Sequence, residues 1–346
     1  MDKTEDILCD FFEKIDSVFE EQEEDFKECF KIAGHVFQME FEDRRMKDYF
    51  IWQMKLFLTE EKEIFGTIRI RTDKKAGELA ELKSRQGNFP NGVQTSNGRV
   101  SFYVLGKGNR IGELVFAWCK EIKTGWVLIE PNQLESFYQL SFMLTPLFSR
   151  MAPDIGMTLI HGAGVGINGQ GVILAGLSGA GKSSLAAACL MSGMQYVSDD
   201  TLFLDRKENK AYSMCSTIHL APKILDVFHE ISGQEFSTRN GRGEKRHLDI
   251  SFMEDQFTQG LQMRALIVLR IDERAEFGIR QVRWEKAAVP LIYSSAHLLG
   301  EAQNAPAVRN VLSCLRKLPA YEFYMSGNLR YNAEYLKKFI ENNFME

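Results

Sequence analysis

The stretch Gly176-Leu-Ser-Gly-Ala-Gly-Lys-Ser183 constrains this chain more than any other. It fits the phosphate-binding pattern G-x-x-x-x-G-K-[ST], and its flanks supply what such a loop needs. Upstream, Gly171-Val-Ile-Leu-Ala-Gly176 is a short apolar run with β-branched residues, which predicts a buried strand. Downstream, Ser184-Leu-Ala-Ala-Ala-Cys-Leu-Met is a strong helix former. Strand, glycine-rich turn and helix together commit this part of the chain to an α/β fold. The glycines let backbone N–H groups approach phosphate oxygens, and the helix N-terminus adds a favourable dipole. On this pattern Gly176, Ser178, Gly179, Ala180, Gly181, Lys182, Ser183 and Ser184 cradle the phosphates of a nucleotide, ATP by expectation. Lys182 reaches the β- and γ-phosphates, and the Ser183 hydroxyl is placed to ligate Mg²⁺. A glycine-rich loop before an ordinary helix would leave Lys182 unexplained.

At 346 residues the chain is long enough for two domains. Its net charge of −5 gives no electrostatic reason to expect a nucleic-acid partner. The start, Met1-Asp-Lys-Thr-Glu-Asp, is acidic and lacks the apolar core of a signal peptide. No apolar run approaches the ~18 residues that span a bilayer. The most apolar segment, Leu134 to Phe148, is interrupted by Glu135, Ser136, Gln139 and Thr145. Six cysteines lie far apart with no C-x-x-C pair, which argues against structural zinc or a disulfide framework. These features predict a cytoplasmic protein with no membrane partner. A homo-oligomer is compatible with the sequence.

The order of elements predicts an α/β N-terminal domain over residues 1–152 and a catalytic domain over 153–346. In the first, Leu8 to Phe19 has helical apolar spacing, including Val18 and Phe19. Phe37 to Phe41 alternates like a strand, Asp48 to Leu58 reads as a helix and Gly66 to Arg71 as a strand. The turn-rich Gln86 to Gly98 predicts a loop, followed by strands at Val100–Leu105, Ile111–Trp118 and Gly125–Ile129. A helix from Gln133 to Arg150, kinked at Pro146, closes the domain. Beyond it, Met157 to Ile167 reads as one strand, and Asn168-Gly169 is a hairpin turn into the phosphate-loop strand. Gln195 to Leu204 reads as another strand, Gly233 to His247 as a mobile polar loop and Arg264 to Ile271 as a buried strand. A short strand at Ala320–Met325 and a helix over Ala333–Asn343 finish the chain.

Asp199 and Asp200 follow Lys182 by fewer than twenty residues, and that distance has geometric meaning. A helix of ~11 residues carries the chain ~16 Å from the phosphate loop. About six strand residues return it nearly ~20 Å. If this strand runs parallel to the first, the aspartates arrive beside the phosphates. A kinase needs two acidic functions there, one for Mg²⁺ and one for the attacking hydroxyl. The expectation is Asp200 with Ser183 for the metal and Asp199 as base. The alternative is an aspartate pair that caps a turn.

The series Ile160-His161-Gly162, Gly176 to Ser183 and Val197-Ser-Asp-Asp200 resembles the catalytic domain of HPr kinase/phosphorylase, and its kinase-like relatives most of all. Phosphoenolpyruvate carboxykinase shares that nucleotide-binding architecture, but that family is longer and needs metal-binding Lys and His positions not found here. The resemblance implies a phosphate-loop kinase core, ATP and Mg²⁺ as cofactors, and catalytic roles for Asp199, Lys182 and His161, with His161 assisting Asp199. Without it, His161 reads as a core or turn histidine. The family's glycine-rich signature downstream of the Asp pair is missing, Gly241 to His247 being the nearest candidate. The resemblance therefore does not carry over HPr as substrate or the reverse phosphorolysis.

Arg239, Arg242, Lys245 and Arg246 crowd the polar segment. Arg246, beside the apolar restart at Leu248, could reach an acidic substrate or the moving phosphoryl group, and Lys223 has similar standing; the bland reading is a solvated loop. The leading expectation is an ATP- and Mg²⁺-dependent kinase acting on a serine-type hydroxyl of a protein, peptide or small molecule. The alternative is a nucleotide-binding scaffold or switch with little turnover. A nucleic-acid motor is third, for want of a basic surface.

Overall fold

A computed structural model of the chain describes residues 3–15, 26–86, 90, 92–105, 113–137, 144–228, 235–236, 246–272, 274–299 and 305–345. The chain divides into two compact units, Met1–Asp154 and Ile155–Glu346.

Among the described residues, the first unit has seven strands: β1 (Lys27–Ile32), β2 (His35–Phe41), β3 (Ile64–Thr72), β4 (Gly92–Thr95), β5 (Gly98–Leu105), β6 (Leu114–Cys119) and β7 (Thr124–Ile129). They form one mixed sheet in the order β1-β2-β3-β7-β6-β5-β4, with β2, β3 and β7 mutually parallel. Its helices are α1 (Lys3–Lys14), α2 (Arg44–Met54), α3 (Lys75–Gln86), α4 (Leu134–Phe137) and α5 (Thr145–Met151). β6 and β7 are buried along their whole length, which requires cover on both faces. Helices α1 and α3 cover one, where Leu8, Phe12 and Leu79 pack with Val115, Ala117, Trp126 and Leu128. On the other, Leu147 of α5 fills the space beside Gly125, which has no side chain to obstruct it.

Several expectations change here. Helix α1 covers Lys3–Lys14, while Val18 and Phe19 lie outside the described residues. The loop expected over 86–98 contains β4, hairpinned to β5. Strand β1 and helix α3 carried no strong periodicity and were not anticipated. In place of one helix from Gln133, a short turn, α4 and α5 are seen, with 138–143 outside the described residues. Pro146 lies in the first turn of α5, where its missing N–H costs nothing, and does not kink a longer helix.

The second unit contains β8 (Met157–His161), β9 (Ala163–Ile167), β10 (Gln170–Ala175), β11 (Gln195–Ser198), β12 (Thr201–Asp205), β13 (Lys210–Tyr212), β14 (Thr217–Leu220), β15 (Glu235–Phe236), β16 (Arg246–Asp249), β17 (Gly260–Arg270), β18 (Gly278–Val282) and β19 (Ala320–Tyr324). Nine of these form the main sheet, ordered β11-β9-β10-β17-β13-β12-β8, with β19 beside the second half of β17 and β18 beyond it. Strands β14, β16 and β15 form a small separate sheet. The helices are α6 (Lys182–Met191), α7 (Pro222–Leu225), α8 (Trp284–Leu299), α9 (Ala305–Leu315) and α10 (Leu329–Phe344).

Strand alternation explains the layering. Val172 and Leu174 of β10, with Ala265, Ile267 and Leu269 of β17, pack against Leu185 of α6 and Leu336 and Ile340 of α10. The intervening Ile173, Ala175, Leu266 and Val268 pack against Leu291 of α8 and Val311 and Leu315 of α9. The parallel pair β10–β17 is thus covered by helices on both sides, as near-continuous apolar runs require. The predicted Asn168-Gly169 turn is present, both residues having positive φ (47° and 80°).

Two strands expected to be continuous are broken. Gly162 separates β8 from β9, which join different partners in the sheet. The Asp199-Asp200 bend separates β11 from β12. The expected mobile loop over 233–247 has strands at both ends, β15 and β16; Arg239, Arg242 and Lys245 lie outside the described residues. Ile267 is fully buried at the heart of this unit. Ile267→Ala is expected to destabilise the fold by about 2–5 kcal/mol, read as a lowered midpoint in urea unfolding.

Candidate active site

The phosphate loop leaves β10 at Gly176, whose φ of +153° suits glycine and whose Cβ would stand 2.8 Å from that of Ala180. Gly181 caps α6 in the left-handed region at φ +91°, with no side-chain cap on the helix. The first turn of α6 thus begins directly from the loop. Lys182 is 7% exposed, and its ammonium donates to the carbonyls of Gly176 (2.8 Å) and Leu177 (3.4 Å). It lies within the loop itself, in reach of any phosphate held there. Ser178 and Gly179 are exposed, while Ala180, Ser183 and Ser184 are half-buried.

Strands β10 and β11 are both antiparallel to β9, so they run in the same direction. The geometric condition set by the spacing is met: the Asp pair lies at the same end of the sheet as the phosphate loop. The two carboxylates face different surroundings. Asp199 is 2% exposed and accepts from the Tyr196 hydroxyl (3.0 Å) and the His219 backbone N–H (3.4 Å); the His219 ring Nδ1 stands 3.7 Å from it. The Asp200 side chain is 51% exposed and accepts from the Thr201 hydroxyl at 2.9 Å.

His161 lies opposite Thr201 in the β8–β12 register, and its Nδ1 is 3.4 Å from Asp200. The expectation had paired His161 with Asp199. The ladder brings His161 to the second aspartate, while the first turns into the interior. Helix α8 fixes the histidine's backbone: its N–H donates to Ser295 Oγ (2.8 Å), and its carbonyl accepts from Ser294 Oγ (3.3 Å).

Sequence reasoning missed the group behind Asp199. His219 and His247 are paired across β14 and β16, with rings stacked at 4.2 Å and 20°. His247 Nε2 lies 2.7 Å from the Thr217 hydroxyl. Two histidines far apart in the chain gave no local signal. Tyr196 escaped notice for another reason. Positions i and i+3 of a regular strand face opposite sides, but a register shift between Tyr196 and Ser198 turns Tyr196 towards Asp199. Burial first, then the Asp199 charge, pushes the Tyr196 hydroxyl well above its usual range, so it stays a donor.

Arg246 opens β16, opposite Leu220, and alternation turns it away from the face that His247 presents to His219. Lys223 is exposed on α7. Neither is brought to the Asp pair by these pairings. Among the described residues, no three or more His, Cys, Asp or Glu side chains are grouped to hold a metal. Among the described residues, no helix is long and apolar enough to cross a membrane.

A glycine loop between a buried parallel strand and a helix, with a carboxylate pair delivered to the same sheet edge, defines a phosphate-loop α/β protein. No family model matches the sequence. Curated relatives do. HPr kinase/phosphorylase of Chlorobium chlorochromatii is 26% identical over 178 residues, 51% of this chain and 49% of that protein. The Lactobacillus acidophilus enzyme of the same name is 38% identical over 74 residues, 21% of each chain, and the Bacillus subtilis one 35% over 96 residues, 28% of each. The matches therefore span between a fifth and a half of these relatives' length. A solved structure, the Hpr(Ser) kinase/phosphatase from Coxiella burnetii, covers 54% of this chain and 89% of its own, at 15% identity and a TM-score of 0.30, too slight a likeness to carry an argument. The chain is a divergent relative of the HPr kinase/phosphorylases.

Tyr196→Phe deletes a hydroxyl that serves a buried carboxylate and is expected to cost about 1–3 kcal/mol in chemical denaturation; an unchanged midpoint would mean that other donors suffice. Burial, then the neighbouring His219, holds the His247 imidazole well below the ordinary histidine range. The unfolded chain takes up this proton near pH 6.5 and the folded chain resists it. Its contribution to stability is thus complete above about pH 6.5 and declines as the pH falls below that value. The stability difference between the protein and His247→Asn should narrow between about pH 7.5 and 5.

Proposed function

We propose that this chain is an ATP- and Mg²⁺-dependent kinase that transfers the γ-phosphoryl group to a serine-type hydroxyl. The observation that carries the reading is the return of Asp199 and Asp200 to the sheet end that bears the phosphate loop, with His161 against Asp200. The names of the curated relatives support a kinase and point to HPr, a protein, as their own acceptor. Since the matches are partial, the acceptor here is assigned by class: a hydroxyl on a protein, peptide or small molecule.

The loop N–H groups and Lys182 bind the triphosphate and hold its terminal phosphorus in place, which is most of what phosphoryl transfer asks of a protein. Ser183 and Asp200 would hold Mg²⁺, which neutralises charge on the phosphates when bound. Accepting the hydroxyl proton requires a group the substrate can touch. Asp199, expected from sequence to be that base, is enclosed by Tyr196 and His219, so we assign it to holding the turn. His161 is partly exposed and its Nδ1 stands 3.4 Å from Asp200, so we assign the imidazole to take the proton. The rival reading, a nucleotide-binding scaffold, has no use for this pair.

Incubating the protein with γ-labelled ATP and an extract of the source cells should yield a labelled product. His161→Ala should lower transfer by about 10²–10⁴-fold with nucleotide affinity kept. If Asp199→Asn instead abolishes transfer in a folded, nucleotide-binding protein while His161→Ala does not, the base is Asp199. Lys182→Ala should weaken ATP binding in calorimetry, and an unchanged affinity would remove the phosphate-loop reading itself.

A further inference from the structure

The sheet end that carries the phosphate loop is chemically divided. In the order β11, β9, β10, β17, β19, the flank on one side of β10 ends in Asp199 and Asp200. The flank on the other side carries exposed apolar side chains. Strands β10 and β17 are parallel, with Ala175 opposite Val268, so Leu177 and Ile271 emerge from neighbouring strand ends. Leu177 is 51% exposed and Ile271 66%. Next along, the Met325 N–H donates to the Arg270 carbonyl at 3.0 Å. The Met325 methyl lies 3.0 Å from where a Cβ on Gly181 would stand, so this side chain reaches back against the phosphate loop. At this edge Arg270 pairs with Glu322 at 2.9 Å, and Glu322 also accepts from the Tyr324 hydroxyl at 3.1 Å.

Single exposed leucines are ordinary. An exposed leucine and isoleucine beside a methionine, all at the rim of a loop built for anions, are not explained by the phosphates. A nucleoside triphosphate has the same division as this rim, polyanionic at one end and flat and apolar at the other. Granted the kinase reading above, the γ-phosphate faces the aspartate flank, so the nucleoside leaves the loop towards β17 and β19. We propose that Leu177, Ile271 and Met325 form the seat of the nucleobase, a purine ring lying on the two branched side chains with the Met325 thioether at its edge. The three side chains offer shape and apolar area without base-specific donors or acceptors, so adenine and guanine should be held almost alike.

Calorimetry with Mg-ATP, Mg-GTP and Mg-tripolyphosphate tests this without knowledge of the acceptor. The protein should bind ATP and GTP within about threefold of each other, and both about tenfold more tightly than tripolyphosphate. Ile271→Ser should bring the ATP-to-tripolyphosphate ratio down about threefold with tripolyphosphate affinity unchanged, and Ile271→Phe should restore or raise it. Equal affinity for ATP and tripolyphosphate in the unaltered protein would overturn the proposal, as would a ratio that neither variant moves. If no triphosphate binds in a manner that Lys182→Ala abolishes, the phosphate-loop reading fails first and takes the base seat with it. The two failures are thus told apart.

Discussion

Everything in the second unit that could do chemistry depends on one buried contact, the parallel pairing of β10 with β17. From Val172 and Ala265 onward both strands are apolar on both faces, and helices close over each side. A strand held this way cannot shift register without exposing an entire row of side chains. The glycine loop that follows β10 is therefore anchored at its root, and α6 is anchored at its other end by Leu185 in the same core. Between these anchors the loop holds an unusual backbone, with positive φ at Gly176 and Gly181. Such a conformation persists only where the surroundings determine it.

The same constraint separates the two aspartates. Strand β9 lies between β10 and β11 and sets where β11 ends. The bend that follows sends one carboxylate inward and leaves the next half-exposed. A carboxylate buried as deeply as Asp199 is tolerable only with donors around it. Tyr196 and the His219 backbone meet that need, and the stacked His219–His247 pair closes the cluster from the small β14–β16 sheet. Asp200 remains on the open side with His161, whose backbone is clipped to α8 by two serines. Adjacent residues of one chemical type thus have different surroundings, and the difference comes from backbone direction alone.

Much of the site was legible without coordinates, where the information was local. The phosphate loop, the strand before it, the helix after it and the Asn168-Gly169 turn are each specified by residues within a few positions of one another. The return of Asp199 and Asp200 followed from the rise of helix and strand. What failed had to be set by distant partners. That His161 stands beside Asp200 is decided by the β8–β12 ladder, which no local pattern shows. His219 and His247 meet only through strand pairing, and Tyr196 reaches Asp199 only through a register shift. In the first unit, β1 and α3 were missed because weak local periodicity was overridden by packing on the sheet.

By itself, then, the sequence determined an α/β fold, a loop shaped for phosphate, and a carboxylate pair aimed at the same edge. These are consequences of glycine's conformational freedom, of apolar periodicity and of the fixed rise per residue. The tertiary structure decided which carboxylate is enclosed, which histidine stands beside it, and how polar and apolar flanks divide the loop's rim. Those depend on strand order and register, which are settled by the burial of whole faces between elements far apart in the chain.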